Sequence, residues 1–178
     1  MLQIRNDVFE TNSSSSHCLV DSKKDRGHSY DLPVDEDGNL VIELGQYGWG
    51  PDVLKTPYEK LCYIMTDIAQ SSGYYDTSAG FEDLREGILR NSRAQDIFDS
   101  IEEFCNIDVS NISFTADDDF YIDHQSAGML YNEDLVDVIF NNNLAILIDN
   151  DNSCYFDDYF TDWLGNPPKE DIEELFDK

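Results

Sequence analysis

Three short polar segments hold most of the side chains that could do chemistry. Residues 10–18, ETNSSSSHC, put Asn12, Ser14 and His17 in one run of amide, hydroxyls and imidazole. Residues 121–126, YIDHQS, set Asp123 beside His124, and residues 149–153, DNDNS, alternate Asp149 and Asp151 with asparagines. A serine, a histidine base and an aspartate are the parts of a nucleophilic triad, so Ser14, His17 and His124 are candidate catalytic residues. Hard oxygen donors with an imidazole suit Mg or Mn, which makes Asp123, His124, Asp149 and Asp151 candidate metal ligands; His17 joins them if the serine loop folds over. Neither set has a signature spacing. No G-x-S-x-G elbow is present, and no P-loop or G-x-G-x-x-G. An EF-hand starting at Asp149 is excluded, because Cys154 stands where the loop needs glycine and Phe160 where it needs a bidentate glutamate. Each segment also has a purely structural reading, since Ser, Asn and Asp side chains satisfy the backbone of turns.

A second class of chemistry is electrostatic. The chain has 38 acids and 11 bases, a net charge of −27. Between residues 94 and 168 there are 17 acids and no lysine or arginine. That block also carries 12 aromatic residues, so it is expected to fold and not to trail as an acidic tail. Direct binding to a nucleic-acid backbone is disfavoured, because it needs Lys and Arg to displace counterions. A basic protein is the favoured partner. The candidate partner-binding residues are Asp96, Asp99, Glu102 and Glu103 on one helix face, Asp117, Asp118 and Asp119 in a loop, and Asp157 and Asp158 among aromatic residues. Spaced carboxylates on a rigid surface can imitate a row of phosphates, and complementary charge speeds encounter. A merely soluble acidic surface is the competing reading.

The elements that must position these groups are partly legible. LQIRNDVFE has strand-like apolar residues, HCLV reads as a return strand, and VDEDGNLVIEL reads as a hairpin turning at Asp37-Gly38. Thr56, Pro57 and Glu59 form a capping box that starts a helix, with Leu61, Ile64, Met65 and Ile68 at helical spacing. Further helices are expected over about 81–90 and from Ser92, where Ile97, Phe98, Ile101 and Phe104 oppose the acids. IDVSNISF and DFYID read as strands, Asn132 as the cap of a short helix over EDLVDVIF, LAILID as a buried strand with SCYF beside it, and PPKEDIEELF as a last helix. The expected fold is α+β, a single domain over residues 1–178 with a mostly antiparallel sheet packed with three to five helices. Cys18, Cys62, Cys105 and Cys154 form no CxxC pair, which argues against zinc or a disulfide framework. No apolar run reaches the ~20 residues of a membrane span, and the N-terminus is too polar for a signal peptide, so a cytoplasmic protein is expected.

The segments FETNSSSSH, YIDHQS and DNDN resemble a pattern found in uncharacterised proteins of bacterial phages and mobile elements. The resemblance covers short segments spread over most of the chain and supplies no catalytic role. In size and acidity the chain also resembles phage-encoded inhibitors of host defence, including DNA-mimicking anti-CRISPR proteins. That resemblance implies a non-enzymatic, cytoplasmic inhibitor without a cofactor, which binds a basic nucleic-acid-handling protein such as an RNA-guided nuclease and blocks its access to DNA. The alternative is a small metal-dependent hydrolase or ligand-binding enzyme built from the Ser/His/Asp segments. Oligomeric state is open in both.

Overall fold

A computed structural model describes residues 3–5, 16–22, 25–48, 52–74, 76, 80–116, 119–122 and 129–149, with only the backbone described at 3–5, 16 and 149. The fold is α+β. Strands β1 (Gln3–Arg5), β2 (Ser16–Asp21), β5 (Asp52–Leu54) and β8 (Leu144–Asp149) form one antiparallel sheet in the order β1-β2-β8-β5. Two smaller pairs are parallel: β3 (Leu40–Glu43) with β6 (Ile112–Thr115), and β4 (Gln46–Tyr47) with β7 (Tyr121–Ile122). Four α-helices complete the described set: α1 (Pro57–Ser71), α2 (Phe81–Leu89), α3 (Ser92–Ser100) and α4 (Leu135–Phe140).

The central strand β8 is apolar without interruption from Leu144 to Ile148, and all five residues are buried. Its position between β2 and β5 explains this, because an inner strand covered on both faces has no polar side to alternate with. The register pairs His17 with Ile148 and Leu19 with Ile146, and on the alternate positions Cys18 with Leu147 and Val20 with Ala145. His17 and Cys18 therefore project to opposite faces, as neighbours in a strand must.

Helix α1 lies at the centre of the molecule and touches β3, β7, α2, α3 and α4. Its start is local chemistry: the Thr56 hydroxyl accepts from the Glu59 N–H at 3.2 Å, and the Glu59 carboxylate accepts from the Thr56 N–H at 2.9 Å. Its burial is not local, for every residue from Lys60 to Ala69 is removed from solvent. None of the helices among the described residues is long and apolar enough to cross a membrane.

Three sequence expectations are corrected. The turn at Asp35–Gly38 forms, with the Gly38 N–H bonded to the Asp35 carbonyl at 3.0 Å, but no described strand precedes it. Strand β3 pairs in parallel with the distant β6, so VDEDGNLVIEL is a turn and a strand and not a hairpin. The cap of α4 is Asp134 and not Asn132; its carboxylate accepts from the N–H groups of Val136 (3.1 Å) and Asp137 (3.2 Å), and the chain before it forms turns. IDVSNISF is a 3₁₀ turn over Val109–Asn111 followed by β6, because the Asp108 carboxylate accepts the Ser110 N–H and curls the chain. The expected SCYF strand and the helix after Pro167 lie outside the described residues.

Candidate functional site

Lys60, Tyr63, Asp67 and Gln70 follow one another at intervals of three, four and three, which puts them on one stripe of α1. In an isolated helix this stripe would be the solvated face. Here each member reaches a different element. The Lys60 ammonium donates to the carbonyls of Asn141 (2.8 Å) and Leu144 (3.1 Å), where α4 turns into β8. The Tyr63 hydroxyl lies 2.8 Å from Nδ1 of His17 on β2, and its ring packs edge-on against Tyr47 of β4, with centroids 4.9 Å apart. The Asp67 carboxylate takes a 3.1 Å ion pair from Arg93 of α3, with side chains 6% and 21% exposed. The Gln70 amide bonds β7 twice, accepting from the Ile122 N–H (2.7 Å) and donating to the Ile122 carbonyl (3.1 Å).

Burial sets the electrostatics of this stripe. Tyr63 is 1% exposed, and desolvation holds its phenol well above the usual range, with the Asp67 charge adding to the effect. It stays a neutral phenol, able to donate to an unprotonated His17 or to accept from a protonated one. Lys60 is fully buried, and desolvation lowers its ammonium to about 7 against the smaller pull of Asp137 and Glu59. The carbonyls it faces accept from either the charged or the neutral amine. Burial also pushes the Cys62 and Cys105 thiols up to about 11, so neither is a thiolate nucleophile at neutral pH.

The stripe joins the described ends of the three polar segments. His17 closes the serine run, registers with Ile148 and bonds Tyr63; Tyr63 packs on Tyr47, which registers with Ile122. Asp149 registers with Ser16, one position from the His17–Ile148 pair. Asn12, Ser14, Asp123, His124 and Asp151 lie outside the described residues, as does the side chain of Asp149. Among the described residues no three His, Cys, Asp or Glu side chains lie close enough to hold a metal ion. Lys60, Tyr63, Asp67 and Arg93 escaped the sequence reading. The signal that could have found the three on α1 is their helical spacing between the apolar residues Leu61, Ile64, Met65 and Ile68.

The acidic candidates divide in the same way. Asp96 and Asp99 on α3, Glu102 and Glu103 in the following turn, and Asp119 before β7 are all exposed. Asp117, Asp118, Asp157 and Asp158 lie outside the described residues. After Ser100 the helix widens into a π turn over Ile101–Cys105, which ends at Asn106 in the left-handed region (φ 57°). Such wide turns break the α-helical spacing. Ile101 stays in the core while Phe104, the last residue of the expected apolar side, is 46% exposed. His28 is exposed and bonds Asp137 at 2.9 Å. No protein-family model, curated protein or solved structure matches this chain.

Proposed function

We propose that this protein is a charge-driven protein ligand of phage or mobile-element type. In this reading it acts in the cytoplasm of a bacterial host, seating carboxylates on the basic surface of a nucleic-acid-handling protein, such as an RNA-guided nuclease, and so keeping DNA from it. The observation that carries the reading is the stretch from 94 to 168 without a lysine or arginine, whose first helix and π turn expose Asp96, Asp99, Glu102 and Glu103. None of the four makes an ion pair with a described residue, so their charge is available to a partner. Exposed carboxylates kept unpaired attract a cationic surface over about a Debye length, roughly 8 Å at physiological salt. The test is a gel-shift and cleavage competition against a guide-loaded nuclease. The expected result is inhibition that fades as salt rises and is lost when the four acids are replaced by their amides. Unchanged DNA binding and cleavage at saturating protein sinks the reading for that nuclease.

A second reading is favoured by the Tyr63 junction, which links His17 to the strand ends that precede Asp123-His124 and that carry Asp149. It is a small hydrolase or ligand-binding enzyme, with Ser14 and the two histidines in its site and Mg or Mn as the candidate ion. Titration calorimetry with Mg, Mn and Zn, repeated on His17→Ala, separates the two readings. Binding heat that disappears in the variant supports the enzyme; no heat and no thermal shift removes its metal form.

A further inference from the structure

Three aromatic side chains share one surface beside the acidic turn. Tyr30, 39% exposed, rests on the buried ring of Phe140, with centroids 5.0 Å apart. Phe104 meets Tyr30 at 4.9 Å and a tilt of 30°, and His28 lies nearly parallel to Tyr30 (14°) at 6.2 Å. Tyr30 is thus the centre of a continuous aromatic strip with Phe104 on one side and His28 on the other. Isolated exposed apolar residues are ordinary, whereas rings packed at a tilt with a foundation in the core form a rigid patch.

Carboxylates lie at this strip and next to it in the chain. Asp137 on α4 bonds His28 at 2.9 Å, Asp31 follows Tyr30 in sequence, and Glu102 and Glu103 precede Phe104, all three of these neighbours being exposed. Flat π faces with a negative surround are complementary to a planar cation. A guanidinium stacks on aromatic faces while its edge donates to carboxylates, whereas an ammonium is a strongly hydrated point charge that gains less from the rings. Tyrosine and its aromatic neighbours are also the residues that anchor protein interfaces.

We infer that the Tyr30–Phe104–His28 strip is the anchoring point of the acidic face, and that it takes an arginine side chain of a basic protein partner. This rests on the reading of the protein as a ligand of basic surfaces and adds to it where the contact is centred and which cation it prefers.

The probes are a short alternating Arg-Gly peptide and its Lys-Gly counterpart, titrated against the full chain by fluorescence anisotropy. The expected result is preferential binding of the arginine peptide. Tyr30→Ala and Phe104→Ala should each weaken that binding by about tenfold, the loss of one aromatic anchor. Tyr30→Phe, which keeps the ring and the fold, should bind like the wild type. Phe81→Ala, an exposed ring at the start of α2, should change nothing. Equal binding of the lysine peptide, or arginine binding that survives loss of either ring, overturns the inference and leaves an acidic face that works by charge alone. No binding of either peptide also overturns it, and the nuclease competition then decides the acidic reading separately.

Discussion

Helix α1, and helix α3 with the π turn that follows it, each carry a set of polar side chains, and the two sets have opposite fates. On α1, Lys60, Tyr63 and Asp67 are buried and Gln70 half-buried, and each is bonded to another element. On α3 and its π turn, Asp96, Asp99, Glu102 and Glu103 stay in water and pair with no described residue. The difference teaches how to read a polar face. A buried polar group is tolerated only when its hydrogen bonds are met, because leaving it unmet costs about 1–3 kcal/mol. The α1 stripe therefore acts as a set of struts that fix register between β2, β4, β7, α3 and α4. The acids of α3 and its π turn make no such bond to another element among the described residues.

The comparison can be broken most severely at Tyr63. Tyr63→Ala removes a ring wedged between His17 and Tyr47, and denaturant unfolding should show a loss of about 3–5 kcal/mol, as for other buried aromatics. A loss under about 1 kcal/mol would mean that the junction is not a strut.

Next is Arg93→Met, which leaves the Asp67 carboxylate buried without that guanidinium. Breaking a buried pair from one side costs about 3–5 kcal/mol, and partial exposure of Arg93 reduces the expected loss to about 2 kcal/mol. Adding Asp67→Leu should recover part of it. A double variant as unstable as the sum of its parts would show that the two residues do not act together.

Lys60 gives the α1 stripe a pH signature. Its folded value is about 7, below the ordinary lysine value of about 10.4, so between the two the unfolded chain binds more protons than the folded one. Stability from this group therefore rises with pH above about 7 and is lost as pH falls through it. The unfolding midpoint of the wild type should rise relative to Lys60→Met between about pH 6 and pH 8, by the equivalent of about 1–2 kcal/mol. Parallel pH profiles of the two proteins would refute the assignment.

The smallest effect, of opposite sign, is expected on α3. Asp96 and Asp99 stand three residues apart on α3 and repel, and the like charges of Glu102 and Glu103 follow in the π turn. Replacing all four acids by amides should raise stability by a few tenths of a kcal/mol per pair removed, a gain that shrinks in salt. A clear destabilisation would mean that these acids support the fold, which would take them away from a partner.

Much of the local structure was legible. Thr56, Pro57 and Glu59 start α1 as their types require, because a capping box is made by residues three apart. The apolar run Leu144–Ile148 is a strand, with the flanking Asn and Asp as its limits. The parallel pairing of β3 with β6 was not legible, since its two strands lie far apart in sequence and no turn residue signals their meeting. The π turn was hidden for a different reason: Ile97, Phe98, Ile101 and Phe104 continue an α-helical spacing that the backbone abandons after Ser100. Among the candidate site residues, the polar segments were visible by composition, while the tyrosine that joins their described ends looked like one more aromatic in a helix.

Residue types alone set the charge, its confinement to one block of the chain, the α+β mixture and the places where helices begin. These follow from residue type and from interactions within a turn or two. Which polar stripe is interior, which strands pair in parallel, that His17 meets Tyr63 and that Phe104 leaves the core to lie on Tyr30 are settled by the assembled fold. Each of those outcomes depends on contacts between residues distant in the chain. Burial is a property of the assembled surface, and the periodicity of a single helix is the same whether its polar face meets water or a ring of partners.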